Sequence, residues 1–422
     1  MRTLPAVLFS LLIAPLAMAS SFTANSQADV GDDDPGDNVC HAILGLPGVC
    51  TLRAAVQEAN AHAGADTIFL SAGNVYTLTR DGQDDNASNG DLDINDDVSI
   101  AFFASGERPV VDANGQERAF EVHNDANLTL FGFDITGGDA TISGDQAGGA
   151  VAVNFDSGIV LVSFMRLYGN RANFGGALYN DGANTTLVAS ELYDNEAEND
   201  FVGSGGSAVL NRGTLTIDKS SMFVNSGVGG LGAITVFNTP PFAGSPELVV
   251  INSTIATNLG SGINSEDGST LVVRNSTIAD NGIGIQVTGA GGTFQMRNSV
   301  VGRNSSQDCV VSGGATLNLD RYNMDSDNTC ELGDGTSNYP GVNPRLTPLA
   351  RHGGFSHVAW PMINSPMIDT GHPVIGSIGC EDDDQHFLGR PVDFDGDGTA
   401  RCDVGAVELD SDVIFHDPFE RL

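Results

Sequence analysis

Lysine is almost absent from this chain of 422 residues: Lys219 is the only one, and arginine supplies the other basic side chains. The 54 acidic residues outnumber the 18 basic ones and give a formal net charge of −36. Nucleic acid and anionic membrane surfaces are poor partners for a surface with this balance of charge. Most of the acidic residues are aspartate, whose carboxylates can serve as oxygen ligands for divalent cations. The composition therefore disfavours nucleic-acid binding and leaves metal binding open.

Long apolar runs are also missing. Beyond residue 19 no stretch of about 20 apolar residues occurs, which argues against a membrane-spanning helix. Residues 1–19 are typical of a secretory signal peptide, with Arg2 as the positive end, an apolar segment at 4–16 and small residues at 17–19. We expect an exported protein that is secreted or held at the cell surface.

The six cysteines occur as three local pairs, and none has the C-x-x-C spacing that is typical of zinc sites. Export favours disulfide bonds over metal ligation. Six cysteines allow 15 pairings, so the predicted ones rest on proximity in the sequence. The predicted disulfides are Cys40–Cys50, Cys309–Cys330 and Cys380–Cys402.

A short unit, Asn-Ser-x-Ile/Val-x-x-Asn, recurs through the centre of the chain. Its best copies are residues 275–281 and 298–304, and looser copies occur at 164–170, 189–195, 219–225 and 252–258. The closing asparagines stand at 170, 195, 225, 258, 281 and 304, at intervals of 23 to 33 residues. A repeat of this length with short β-branched runs is typical of a solenoid.

Each unit alternates small polar and apolar residues, which is the pattern of a strand. No amphipathic helix of ten residues interrupts residues 98–310, so leucine-rich and helical-pair repeats are disfavoured. We expect each closing Asn to adopt a left-handed turn and to hydrogen-bond its copies in neighbouring coils as a ladder. A second motif, Gly-Gly in three coils and Leu-Gly in the next, begins at 148, 175, 205 and 231 and predicts another corner. These features predict an all-β fold, a right-handed parallel β-helix.

A short helix is expected just after Cys50. Residues 52, 55, 56 and 59 are apolar and form one stripe, and Thr51 is a suitable N-cap. Such a helix would cover the open end of the first coil, whose strand edges otherwise invite aggregation.

The same stretch carries a family resemblance. Cys50-Thr-Leu-Arg-Ala-Ala resembles the CSLREA motif that names a domain of secreted bacterial proteins, with Thr51 in place of Ser and Ala54 in place of Glu. Residues 66–70, 76–79 and 90–94 continue the resemblance. The tail, at 343–349, 364–371 and 390–408, resembles the choice-of-anchor Q region at the end of many exported β-helix proteins. The two resemblances imply a β-helix on an exported protein and no established activity.

The chain therefore divides into a signal peptide (1–19), a CSLREA-like N-terminal cap with the first coils (20–97), the parallel β-helix (98–333) and a loop-rich, choice-of-anchor-Q-like C-terminal cap (334–422).

One stretch of the tail is similar to a calcium loop. Asp393, Asp395, Asp397 and Gly398 match its positions 1, 3, 5 and 6. The twelfth position is a valine, so Asp403 or Glu408 would have to complete the site in a loop of different shape. The alternative is a solvated Asp-Gly turn. We expect no required cofactor, and Ca²⁺ is the one ion that this pattern suggests.

The sequence evidence for catalytic residues is weaker than that for the calcium loop. Asp194, Asp280 and Arg303 share one repeat position, and Arg274 and Arg297 share another that would stack them on one outer face. Polysaccharide lyases and hydrolases with this fold use carboxylates with Ca²⁺, or an arginine or lysine base. The Asn-Thr-Asp, Gly-His-Gly and Arg-Ile-Lys clusters of pectin hydrolases do not occur, and solvent-facing turns explain these charges equally well. No catalytic residue is assigned.

The two repeated motifs also resemble those of polymorphic outer-membrane adhesins, and a long regular face suits an extended ligand. We therefore predict a monomeric, exported β-helix protein that binds an extracellular polysaccharide or a cell-surface partner without catalysis. The alternative is a polysaccharide lyase or glycoside hydrolase that acts on an extracellular polysaccharide.

Overall fold

The computed structural model describes residues 19–42, 48–141, 146–198, 205–228, 232–237, 245–333, 337–376 and 379–410. All but the last residue of the predicted signal peptide lies outside these ranges. Within them, parallel strands stack coil upon coil into three long sheets and one short sheet. The predicted all-β parallel β-helix is confirmed.

Each sheet is built from the following strands, named in the order of the sequence. Sheet I contains Ser21–Ala24, Asp66–Leu70, Val98–Ala101, Leu128–Phe131, Ile159–Ser163, Asn184–Val188, Thr214–Asp218, Glu247–Ile251, Thr270–Arg274, Thr293–Arg297 and Thr316–Leu319. Sheet II contains Val75–Thr77, Val110–Asp112, Asp134–Thr136, Arg166–Tyr168, Glu191–Tyr193, Ser221–Phe223, Thr254–Ala256, Thr277–Ala279, Val300–Gly302 and Met324–Asp325. Sheet III contains Leu92–Ile94, Phe120–Val122, Val151–Val153, Leu178–Asn180, Val209–Asn211, Ile234–Val236, Ser261–Ser265, Ile283–Val287 and Gln307–Val311. The short sheet IV contains Arg171–Ala172, Glu196–Ala197 and Ser226–Gly227.

The core runs along the inside of the three long sheets. One coil shows its construction: Leu271 and Val273 from sheet I, Ile278 from sheet II and Ile285 from sheet III all point inward and are fully buried. Each such side chain contributes about 1.5–3 kcal/mol by leaving water. The repeating apolar positions of the sequence therefore become one continuous apolar column.

The closing asparagines form the predicted ladder at the corner between sheets II and III. Their side-chain amides donate to the Oδ1 of the next coil's asparagine at 3.0 to 3.2 Å, from Asn170 through to Asn304. The same Oδ1 atoms accept the backbone N–H of the preceding asparagine at 2.9 to 3.1 Å. Buried polar groups need such partners, since an unmade hydrogen bond costs about 1–3 kcal/mol.

The prediction that the closing Asn itself adopts the left-handed conformation is wrong. The residue before it has positive φ instead, for example 55° at Asp194 and 58° at Asp280. The turn is completed before the asparagine, which leaves its side chain directed into the coil and towards its copies.

A second ladder, which the sequence analysis did not predict, is made of serines. Ser190, Ser220, Ser253 and Ser276 each donate a backbone N–H to the serine Oγ of the next coil at 3.0 to 3.2 Å.

The glycine motif makes a corner as predicted. Gly148 and Gly175 both have a φ of +63°. A Cβ on the neighbouring Gly149 would lie 2.4 Å from the carbonyl oxygen of Gly176 in the next coil. Larger residues cannot pack the coils this closely.

The predicted N-terminal helix α1 spans Leu52–Ala61, and the Oγ1 of Thr51 accepts the N–H of Ala54 at 3.0 Å as its N-cap. Its apolar stripe is buried against the first coils. Arg53 is buried too, and it donates to the carbonyls of Ala87, Gly90 and Asp91 at 2.7 to 3.0 Å. Helix α1 therefore holds the 87–91 loop in place and also covers the open end of the first coil.

All three predicted disulfides are present: Cys40–Cys50, Cys309–Cys330 and Cys380–Cys402. Among the described helices, none has the length and apolarity that crossing a membrane requires.

The C-terminal region is loop-rich, as predicted, and it folds back along the solenoid. Residues 337–376 and 379–410 lie along the outer face of sheet II, where Leu346, Met367 and Val404 pack against Ala279 and Val300. They cover one flank of the solenoid.

Candidate functional site

The C-terminal segment occupies much of sheet II through hydrogen bonds to its small polar side chains. Ser221 Oγ donates to the carbonyl of His357 at 2.5 Å, and Thr254 Oγ1 donates to Gln385 Oε1 at 2.6 Å. Thr277 Oγ1 accepts the N–H of Ala406 at 3.1 Å. This part of sheet II is therefore closed to an external ligand.

Glu191 is the main electrostatic anchor of that segment. Its side chain is fully buried, and its Oε2 accepts Arg351 Nη2 at 2.5 Å. Its Oε1 accepts the backbone N–H of His357 at 3.0 Å and faces the imidazole Nδ1 at 2.6 Å. Arg166, on the preceding coil, approaches at 3.5 Å. A charge this deeply buried is stabilised only by such partners.

The lone lysine is a second anchor. Lys219 Nζ lies 3.0 Å from Asp383 and 3.1 Å from Asp218, and it stands 5.4 Å from the ring centre of Phe387. Burial opposes its charge, but the two carboxylates favour it more strongly, so the pKa of Lys219 is raised. A raised pKa keeps the amine protonated, which suits an ion pair and not a catalytic base.

Sheet I has an open outer face with a cavity of about 410 Å³ near its C-terminal end. Residues of its last three strands line the cavity, among them Arg274, Gln295, Arg297 and Asn318, together with Asp320, which follows the last strand. Volumes of this size are typical of sites for small ligands or for part of a polymer. Five apolar residues (Val272, Val273, Met296, Leu317 and Leu319) complete the lining, and the polar residues supply hydrogen-bond donors and acceptors from three successive coils.

The predicted stacking of Arg274 and Arg297 is confirmed, because the two residues are direct partners in the register of sheet I. Neighbouring strands lie about 4.8 Å apart, so two guanidinium groups share one wall of the cavity. Burial lowers the pKa of Arg297, and the positive charge of Arg274 lowers it further. Arg297 also forms an ion pair with Glu381, whose carboxylate lies 3.8 Å from Arg297 Nη2. The two guanidinium groups thus stand side by side on a strongly acidic protein, and Glu381 of the C-terminal segment balances part of their charge.

The other charges that the repeat singled out have structural roles. Asp194, Asp280 and Arg303 are the left-handed residues at the Asn-ladder corner, with φ values of 55° to 60°. Arg303 pairs with Asp280 one coil earlier, and its Nη1 donates to the carbonyl of Leu346 at 2.6 Å. Asp280 and Arg303 thus join the corner to the C-terminal segment, whereas Asp194 is an exposed corner residue.

The calcium-like loop is brought together only in part. Asp393 and Asp395 meet Asp369, with one oxygen of each within 4.8 Å of the others. Asp397 accepts the N–H of Thr399 at 2.7 Å instead. Asp403 is buried, and its carboxylate accepts the backbone N–H groups of Asp369 and Leu409 at 2.8 and 2.7 Å.

Asp369 is the member that the sequence pattern did not indicate. It lies 24 residues before Asp393, outside the spacing of a calcium loop, in the 364–371 stretch that resembles the choice-of-anchor Q region. Its Oδ2 accepts the N–H of Asp395 at 2.9 Å. Burial raises the pKa of Asp369, and the carboxylates of Asp395 and Asp393 raise it further.

Comparison with known proteins agrees with this architecture. The family described as "Right handed beta helix region" matches residues 118–301 and 238–323. The crystal structure of pectate lyase Pel9A is similar with a TM-score of 0.51 at 17% sequence identity, over 93% of this chain and 96% of that one. No curated protein sequence matches the chain. A similarity at this identity shows a shared fold alone. The chain therefore has the fold of a right-handed parallel β-helix.

Proposed function

We propose that this protein binds an acidic extracellular polysaccharide in the arginine cavity of sheet I, without cleaving it. The observation that carries the proposal is the in-register pair Arg274 and Arg297, which lines a cavity on an open sheet face. Guanidinium groups bind carboxylates through two parallel hydrogen bonds. Two of them, one strand spacing apart, suit the repeating carboxylates of a polyuronate chain.

The overall charge supports a local and specific contact. A formal charge of −36 repels a polyanion at long range, so attraction must come from groups in direct contact with the ligand. We expect slow association at low salt, and affinity that depends on the two arginines.

The test is a binding titration with polygalacturonate, alginate and neutral dextran. We expect binding to at least one of the polyuronates and none to dextran. Arg274→Ala with Arg297→Ala should weaken binding at least tenfold, since each charged hydrogen bond contributes about 1.5–3 kcal/mol. The exposed Arg345, which does not line the cavity, is the control: Arg345→Ala should bind like the wild type. Equal binding by all variants would refute the proposal.

A polysaccharide lyase is the second candidate, and one observation favours it. Burial and Arg274 lower the pKa of Arg297, which makes its guanidinium easier to deprotonate, as a base that removes the proton beside a uronate carboxylate requires. The similar fold named above belongs to a pectate lyase. The same incubations therefore include ultraviolet spectra: growth of the unsaturated-uronate band, abolished by Arg297→Ala, would replace binding with cleavage.

We further propose that Asp369, Asp393 and Asp395 hold a structural Ca²⁺ ion. Three converging carboxylates and the Asp-x-Asp-Gly-Asp-Gly sequence support this proposal. Asp403 would position Asp369 through its backbone N–H and would not contact the ion. Asp393→Asn with Asp395→Asn should abolish one calcium-binding event in calorimetry. An unchanged stoichiometry would contradict it.

Export remains part of the proposal. The three disulfides are typical of an oxidising compartment, and the signal-like segment and the CSLREA resemblance point the same way.

A further inference from the structure

Three buried carboxylates meet where sheet III begins. Asp91 directly precedes the strand Leu92–Ile94, Asp93 lies within it, and Glu121 is the register partner of Asp93 on the next coil. Their exposed fractions are 2%, 0% and 8%. One oxygen from each lies within 4.8 Å of the other two. This acidic cluster is at the opposite end of the solenoid from the arginine cavity.

Negative charge exceeds positive charge around the acidic cluster. Glu117 is a fourth buried carboxylate beside it. Facing these groups are one guanidinium, Arg118, whose Nη1 lies 2.6 Å from Glu121, and the imidazole of His123, 3.1 Å from Asp93. Burying an excess of negative charge is costly unless further positive charge compensates it.

One oxygen of the acidic cluster accepts no hydrogen bond from the described residues. This oxygen, Asp91 Oδ2, is buried, and its one cationic neighbour there is Arg118, whose Nε forms an ion pair with it at 3.5 Å. The other two carboxylates are oriented from outside the cluster: Asp93 Oδ2 accepts the N–H of Ala87 at 2.7 Å, and Glu121 Oε1 accepts Asn154 Nδ2 at 2.9 Å. They are thus fixed in place around Asp91 Oδ2.

We propose that Asp91, Asp93 and Glu121 bind one Ca²⁺ ion, which supplies the missing positive charge. Carboxylate oxygens are the donors that Ca²⁺ prefers, each carboxylate can bind through one or both oxygens, and no soft nitrogen or sulfur ligand belongs to this trio. A divalent ion with Arg118 and His123 brings the positive charge level with the four carboxylates when the imidazole is protonated.

The position of the acidic cluster gives the ion a structural role. Asp91 ends the loop that Arg53 of helix α1 holds by its carbonyls, and Glu121 belongs to the next coil. An ion between them would join the N-terminal cap to the body of the solenoid. This site is independent of polysaccharide binding and of the calcium site proposed at Asp369.

The test uses the Asp393→Asn, Asp395→Asn chain as its parent, so that the C-terminal carboxylates do not contribute. Calorimetry with calcium chloride should give one bound ion per parent chain, together with a calcium-dependent rise in Tm. Asp91→Asn, which preserves shape, should abolish both. The exposed Asp194 provides the control, and Asp194→Asn should leave both unchanged.

Two results would overturn the proposal: no calcium binding by the parent, or equal binding by the Asp91→Asn chain. In that case a proton takes the place of the ion, because burial raises the pKa of Asp91 well above its ordinary value. Where Asp91→Asn does not fold, Glu121→Gln serves as the second variant.

Discussion

Sheets I and II are built from the same kind of short parallel strand, yet one is open and the other is covered. On sheet II the outward side chains of Ser221, Thr254 and Thr277 are small, so the C-terminal segment can hydrogen-bond directly to them through its backbone and through Gln385. On sheet I the equivalent coils carry Arg274 and Arg297, which stand off the sheet and line a cavity. Outward side chains therefore decide whether a solenoid face binds its own chain or remains available to a ligand.

The largest effect should come from the inner side of the covered sheet. Ile278→Asp places an unpaired charge in the core, where Ile278 is fully buried, and should cost about 3–5 kcal/mol or prevent folding. Gln295→Asp, on the outer side of sheet I, should change the free energy of unfolding by no more than about 0.5 kcal/mol. Chemical denaturation measures both, and similar midpoints would show that the inward register is wrong.

Substitution of Glu191 tests how firmly the C-terminal segment is attached to sheet II. Glu191→Gln removes the charge that Arg351 and Arg166 share, and breaking a buried ion pair costs about 3 kcal/mol. We expect limited proteolysis to cut the C-terminal segment at lower protease concentration while the solenoid stays intact. The half-exposed Glu196 is the control, and Glu196→Gln should be cut like the wild type.

The pH dependence of the free energy of unfolding should also distinguish the covered face of sheet II from the open face of sheet I. Asp403 and Glu408 are buried beside one guanidinium, Arg390, and burial followed by the charge of Glu408 raises the pKa of Asp403 well above 3.8. Between pH 3.8 and that raised pKa the folded state binds more protons than the unfolded state, so stability falls as pH rises through this window.

Asp403→Asn should remove this decline in Tm across the pH series, although its single acceptor oxygen lowers Tm at every pH. Asp320→Asn, on the open face, should leave the slope unchanged. A slope that persists in Asp403→Asn would assign it to other groups.

The smallest effect on stability belongs to the open face. Arg274→Ala should shift the free energy of unfolding by no more than about 0.5 kcal/mol, because no ion pair within 4.0 Å involves Arg274 in the described ranges. Thermal melts without ligand check this. A shift above about 2 kcal/mol would show that the arginine pair stabilises the fold, and it would weaken the case for a ligand.

The repeating parts of the structure were predictable from the sequence. An interval of 23 residues between equivalent positions is enough to place Arg297 beside Arg274 and to stack Asn304 on Asn281. Helix α1 and its N-cap follow from local spacing, and the disulfides follow from proximity. In each case the partner is set by periodicity or by a few intervening residues.

Contacts between the repeat and the tail were not predictable in this way. Glu191 meets Arg351 across 160 residues, and Asp369 joins Asp393 from outside the calcium-like pattern. No period relates such positions, since the tail adopts irregular backbone whose path depends on packing against sheet II. The left-handed residue of each turn was missed for another reason: the polar Asn side chain is needed inside the coil, so its neighbour adopts the strained conformation.

The single lysine of this chain can serve as a site-specific chemical probe of its structure. Only one ε-amine exists in the whole chain, and it is engaged with Asp383 of the covering segment. An amine-reactive reagent therefore reports one structural event besides labelling the α-amino terminus: release of that segment from the flank of the solenoid. The rate of acylation at Lys219, read by mass spectrometry, would follow undocking in real time, without any engineered probe.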